Sequence, residues 1–124
     1  MDTDYTISVD DGFIRVVYVG RTLYDTSTRM IRDIARIAGE ADTKRLLIDL
    51  RQALYGQSHV SPIRHVEEAP SLGVDASYRS AILGAKKDQM ILKFIEDVAV
   101  NRGYRTRVFF DEQEALAWLM GEGA

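Results

Sequence analysis

The stretch LLIDLRQALYGQSHVSP, residues 46–62, decides how the chain is read. Leu46-Leu47-Ile48 is a short apolar run bounded by charges, the pattern of a strand buried inside a sheet. A polar loop follows and closes on Ser61-Pro62. There Ser61 can cap a short helix with Pro62 at its first position, where the missing proline N–H removes no bond. A strand buried in a sheet needs neighbours, and the flanking segments supply them.

Upstream, Tyr5-Thr6-Ile7-Ser8-Val9 alternates apolar and polar as a half-buried strand does. Asp10-Asp11-Gly12 supplies turn chemistry, and residues 13–19 form a nearly continuous apolar run ended by Gly20. This is an antiparallel hairpin whose second strand lies deeper in the sheet. Thr26 or Ser27 is the expected N-cap of a helix. Its apolar face is Met30, Ile31, Ile34, Ile37 and Ala38; Arg29, Arg32, Asp33 and Arg36 lie opposite. Gly39 is the expected stop. Strand, helix, strand at these lengths is a βαβ unit with parallel strands and a right-handed crossover.

Downstream, Ile63, Val66 and Ala69 give the Ser61 helix a modest apolar side, and Pro70 ends it. After a polar loop, residues 80–83 form a short strand. Gly84 and Ala85 lead into a helix with the stripe Met90, Ile91, Phe94, Ile95, Val98, Ala99, which its periodicity marks as core. Thr106, Val108 and Phe110 alternate with Arg105 and Arg107 in a fifth strand. Asp111 followed by Glu114 is a capping-box-like start for a last helix with Ala115, Leu116, Trp118 and Leu119 on its apolar side. The expected fold is therefore α/β: one domain over residues 1–124, with a mixed, mostly parallel five-stranded sheet flanked by helices in the order ββαβαβαβα.

Composition narrows the function. The chain has 124 residues, a 46% hydrophobic fraction and a net charge of −3, with no cysteine. Disulfide and thiolate chemistry are excluded, which suits a reducing cytoplasm. The acidic start MDTDYTISVD has no apolar core of a signal peptide. No apolar run approaches the roughly 20 residues of a membrane span. An acidic balance argues against non-specific nucleic-acid binding.

The element order resembles the STAS fold of sulfate transporters and anti-sigma-factor antagonists. The closing segment RVFFDEQEALAWL, residues 107–119, together with the hairpin at 5–19 and RLLIDL at 45–50, is similar to the small stand-alone bacterial proteins called SpoIIAA-like, or STAS/SEC14-type. The resemblance implies a bacterial regulatory module. Its antagonist branch carries an Asp-Ser-Ser-Gly-like motif after the third strand, where a kinase phosphorylates one serine and switches binding. Counted from Asp49, that place holds Gly56-Gln57-Ser58-His59. Only Ser58 takes the serine role; Gln57 stands where the acid would be, and His59 and Val60 where the second serine and the glycine would be. The SEC14-type side of the resemblance implies a small apolar ligand.

The expected working surface is the rim at the carboxyl ends of the strands, where α/β sheets bind ligands. Its partner-binding or switch candidates are Tyr55, Gln57, Ser58, His59 and Ser61. Lys86 and Lys87, opening a helix after Gly84, are a weaker anion candidate without any phosphate-loop pattern. His65 and Glu68 share a helical face but make two metal ligands at most, short of the usual three or four. Tyr24 and Leu54 are apolar side chains in loop or lead-in positions, and Trp118 and Met120 are expected core anchors. Arg29, Arg32 and Arg36 read as a solvated face. No nucleophile motif is present, so the expectation is a cytoplasmic docking module without catalysis, cofactor or metal. It has a protein partner, a homodimer as one option for its assembly, and an apolar-ligand carrier as the alternative.

Overall fold

Asp10 and Phe13 close a tight turn, the Asp10 N–H donating to the Phe13 carbonyl at 2.8 Å, with Gly12 at φ 86° in the left-handed region that glycine accepts readily. The turn joins β1 (Asp4–Val9) to β2 (Ile14–Arg21) as an antiparallel pair. The computed structural model describes residues 3–55 and 60–121, with the backbone alone for residues 60–62. After the hairpin come α1 (Tyr24–Ala41), β3 (Arg45–Leu54) and α2 (Val60–Glu68). A 3-10 turn (Ala69–Leu72) leads to β4 (Arg79–Leu83), and a second one (Lys86–Asp88) runs into α3 (Gln89–Asn101). β5 (Arg105–Phe109) and α4 (Glu112–Met120) finish the chain. The order is the expected ββαβαβαβα. The sheet runs β1-β2-β3-β4-β5, and every pair except the hairpin is parallel.

Helices cover both faces, so the central strands must be apolar on both sides. Leu46 packs with Ile14, Val16, Tyr18, Met30, Ile34 and Ala38 under α1. Leu47 packs on the other side with Phe13, Ala81, Leu83, Phe109, Ala115 and Leu119 under α4. Each of the fully buried Leu and Ile side chains contributes about 1.5–3 kcal/mol over its exposed state.

Several local expectations are corrected. Gly20 does not end β2; it sits inside the strand at φ 95°, paired with Ala53. α1 starts at Tyr24, with Leu23 as N-cap and no side-chain cap, so Thr26 and Ser27 fall in its first turn. It runs through Gly39 and ends on Asp42, which adopts φ 53°. α2 starts at Val60, placing Ser61 within the helix. β3 continues past Leu50 to Leu54, and Lys86 and Lys87 occupy the turn before α3. On α3 the buried residues are Leu92 and Ala99, while Met90 is 86% exposed. That helix is phased by Leu92, which fills the space above Gly84. In β5 the inward aromatic is Phe109; the strand ends there, and Phe110 turns outward. Met120 is largely outside the core at 38% exposure. The Asp111 cap forms as expected, accepting from the Glu114 N–H at 3.0 Å.

A Cβ at Gly84 would lie 2.1 Å from Leu92 Cδ1, and Leu92 has no exposed surface into which to move. Gly84→Ala is therefore expected to cost about 1–3 kcal/mol of stability by overpacking, read as a lower urea midpoint with an unchanged slope.

Candidate functional site

Val17 pairs with Asp49 and Val19 with Gln52, so β3 carries one residue more than β2 across that interval. An extra residue in a strand flips every later side chain to the other face. Before the bulge, Leu46, Ile48 and Leu50 face α1. After it, Ala53 and Tyr55 do, and Leu54 is turned out, 43% exposed. The strand thus sends apolar side chains to one face along its whole length.

That face is hollow. A cavity of about 210 Å³ lies between the sheet and the helices α1, α2 and α3. β3 supplies Ile48 and Leu50, β4 supplies Ile82, and α1 supplies Met30, Ile31 and Ile34. Val66 and Ala69 come from the α2 side, and Ile95 and Ala99 from α3. Of the three tyrosine hydroxyls around it, two are already bonded. The Tyr18 hydroxyl donates to the Arg21 carbonyl at 2.6 Å and accepts from the Leu23 N–H at 3.1 Å. The Tyr104 hydroxyl lies 3.3 Å from the Val74 carbonyl.

Tyr55 is the exception. Its hydroxyl is buried with no hydrogen-bond partner among the described residues. Burial first, then the nearby Asp88 carboxylate, pushes its pKa up, so the hydroxyl keeps its proton and remains an available donor.

The α1–α2 wall is pinned by an aromatic cluster. The Tyr24 and His65 rings stack with centroids 5.1 Å apart, and the Arg64 guanidinium lies 4.4 Å from the Tyr24 ring centroid. The Tyr24 hydroxyl donates to Glu68 at 2.5 Å, and His65 Nε2 lies 3.3 Å from the Tyr24 carbonyl oxygen. His65 and Glu68 are thus brought together around Tyr24. Among the described residues no group of three His, Asp or Glu side chains could hold a metal.

Of the sequence candidates, Tyr55 lines the cavity. Gln57, Ser58 and His59 lie outside the described residues, and Ser61 is placed by its backbone alone, in α2. Lys87 Nζ is 3.4 Å from Asp88 Oδ2, and Lys86 is exposed beside it. Arg29 contacts the Tyr5 hydroxyl at 3.2 Å, and Arg36 pairs with Glu40 at 3.3 Å, so both serve local contacts.

Asp49, the residue from which the serine motif is counted, is 5% exposed on the α4 face. Arg51 grips it through Nε at 3.0 Å and Nη2 at 2.7 Å and also reaches Glu112 at 3.4 Å, where Arg15 joins the same carboxylate. Burial would raise the Asp49 pKa, but the Arg51 contacts outweigh it and hold the carboxylate below its ordinary range. The cavity itself had a sequence signal: small residues at core-facing positions, among them Ser27, Ala69, Ser80, Ala99 and Thr106.

A helix-flanked mixed sheet of this order is the SpoIIAA-like architecture. An uncharacterised Shewanella loihica protein of the DUF3478 family with a SpoIIAA-like fold superposes with a TM-score of 0.67 at 17% identity, over 96% of each chain. An anti-sigma factor antagonist from Mycobacterium paratuberculosis gives 0.65 at 13% identity, over 95% of this chain and 94% of that one. The anti-sigma factor antagonist SpoIIAA in its unphosphorylated form gives 0.57 at 12%, over 94% and 98%. The chain therefore has the STAS, SpoIIAA-like fold. No family profile and no curated protein matches it. No helix among the described residues is long and apolar enough to cross a membrane.

Burial lowers the His65 pKa below 6.5, against the opposing contact with the Tyr24 carbonyl. The folded state then takes up a proton less readily than the unfolded chain. The stability His65 contributes is full above pH 6.5 and is lost as pH falls through the depressed folded value. Urea midpoints of wild type should drop between pH 7.5 and 5, and His65→Gln should flatten that drop.

Proposed function

We propose that this chain is a non-catalytic regulatory binding module that takes a small apolar ligand into the cavity over β3. The observation that carries the reading is an apolar hollow in which one buried hydroxyl, that of Tyr55, has no partner among the described residues. An unmade hydrogen bond in a buried site is costly. The ligand that fits is apolar over most of its surface with one acceptor placed for Tyr55. Binding sites of this kind are concave and mostly apolar, with few polar groups. The regulatory part of the reading is supported by the likeness to two anti-sigma factor antagonists. The cysteine-free composition suits the cytoplasm as its compartment.

A second reading, docking of a protein partner or of a second copy at the carboxyl rim, is favoured by one observation. Leu23 and Leu54 are exposed at 46% and 43%, and the neighbouring Thr22 N–H donates to the Leu54 carbonyl at 3.0 Å. An apolar pair on a rim is how a contact patch begins. The candidates Gln57, Ser58, His59 and Ser61 belong to this reading, with Ser58 as the modifiable residue.

Native mass spectrometry of freshly purified protein and a thermal-shift panel of short-chain fatty acids and alcohols test the first reading. Wild type should bind saturably, Tyr55→Phe about tenfold more weakly, and Ile48→Trp, which fills the hollow, not at all. An apo mass with no thermal shift across the panel would sink it. Leu54→Asp separates the readings: it should spare ligand uptake and remove only a rim-dependent association, seen as a change in sedimentation with a partner or with itself.

A further inference from the structure

The amino-terminal edge of the parallel sheet holds a second site of opposite chemistry. Arg45 of β3 is the register partner of Arg79 on β4, and Arg79 is the partner of Arg105 on β5. Neighbouring strands are about 4.8 Å apart, so three guanidiniums start from one short row. They alternate with Leu46, Ser80 and Thr106, which line the apolar hollow, and so lie on the α4 face. With Lys44, Ser77 and Asp42 they line a separate cavity of about 460 Å³ beside the end of α4.

Like charges in register repel and destabilise a sheet, and this row has little to offset it. Among the described residues Arg45, Arg79, Arg105 and Lys44 have no ion-pair partner, whereas Arg15 and Arg51 each have two and Arg64 has one. Among the described residues Asp42 is the sole carboxylate in the lining. Arg79 is the decisive residue. It is 4% exposed, its guanidinium lies 4.0 Å from the Trp118 ring centroid, and it donates to the Trp118 carbonyl. Its Nε is buried with no hydrogen-bond partner among the described residues. Burial, with Arg105 and Arg45 nearby, pushes its pKa below the ordinary value.

The carbonyl end of α4 favours one cation, which accounts for part of Arg79 and for neither of its neighbours. Arg105 donates to the Ser77 carbonyl at 2.8 Å, and Lys44 to the Ser77 hydroxyl at 2.9 Å. Ser77 thereby gathers two of the cations at one point. A buried, incompletely bonded cation flanked by two more is costly unless an anion completes it.

We propose that this cluster binds the phosphate group of a small molecule, with Arg45, Arg79 and Arg105 as the guanidinium contacts and Lys44 at the rim. Guanidiniums match oxyanions through paired N–H donors and stay charged. The site lies on the opposite face from the apolar hollow, shares no lining residue with it, and does not depend on what fills it.

The test uses the whole chain titrated with inorganic phosphate and with pyrophosphate, ionic strength being held by chloride. NMR of the arginine Nε–H signals and thermal unfolding are the readouts. The Arg79 signal should shift saturably, and pyrophosphate should bind at least as tightly as phosphate. Arg45→Gln and Arg105→Gln should each weaken binding about tenfold while melting at the same temperature as wild type or higher. Arg79→Lys should lose the paired contact; if it fails to fold, the two exposed-edge variants still carry the test. Phosphate stabilises many proteins by exclusion from their surface, so equal stabilisation of wild type and of the Arg45→Gln/Arg105→Gln double variant would overturn the proposal.

Discussion

The extra residue in β3 is the constraint on which the functional geometry depends. Had β3 stayed in register with β2, the alternation begun by Leu46, Ile48 and Leu50 would have continued, sending Ala53 and Tyr55 to the α4 side and Leu54 inward. The observed shift between the Val17–Asp49 and Val19–Gln52 pairs reverses that. Gly20, at φ 95° opposite Ala53, belongs to the same irregularity. One added residue therefore turns the end of a buried strand into a wall of the cavity, which Tyr55 lines.

The two faces of the sheet then differ in kind. Under α4 the centre is filled and tied by charge: Leu47, Leu83, Ala115 and Leu119 are wholly buried, and the Asp49–Arg51–Glu112–Arg15 network closes the edge near the start of the helix. Under α1, α2 and α3 small side chains leave a space that is not filled from within. Rigid packing on one side permits an opening on the other, because β3 and β4 are held from the α4 face whether or not the hollow is occupied.

The fold was legible because periodicity survives tertiary context over long apolar segments. The hairpin, the βαβ unit and the Asp111 cap all follow from patterns internal to one segment. What failed did so where a neighbour sets the outcome. The phase of α3 follows from Leu92 seated over Gly84, a contact eight residues long that a stripe of Met90 and Phe94 outweighs on paper. The choice of Phe109 over Phe110 follows from where the strand stops. Of the candidate site, Tyr55 was legible as an aromatic at a strand end, but its direction depends on a bulge that no local pattern announces. The arginine row is invisible in one dimension: Arg45, Arg79 and Arg105 stand 34 and 26 residues apart and become neighbours only through strand register.

The energetics of an apolar hollow support the proposal that a ligand fills it. Unfilled apolar space in a protein core costs about 24 cal/mol per Å³, so a void of 210 Å³ has an upper bound of about 5 kcal/mol. A single domain has only about 5–15 kcal/mol of net stability. Filling with larger side chains at Ser80, Ala69 or Ala99 would recover part of that, and such changes are among the easiest stabilising ones to find. A ligand that occupies the space recovers the same energy by binding, because whatever binds the folded state alone stabilises it. The Tyr55 hydroxyl, without a partner among the described residues, adds a polar cost that a purely apolar filling would leave in place. Under the proposed reading, an occupant with a polar group offsets both costs.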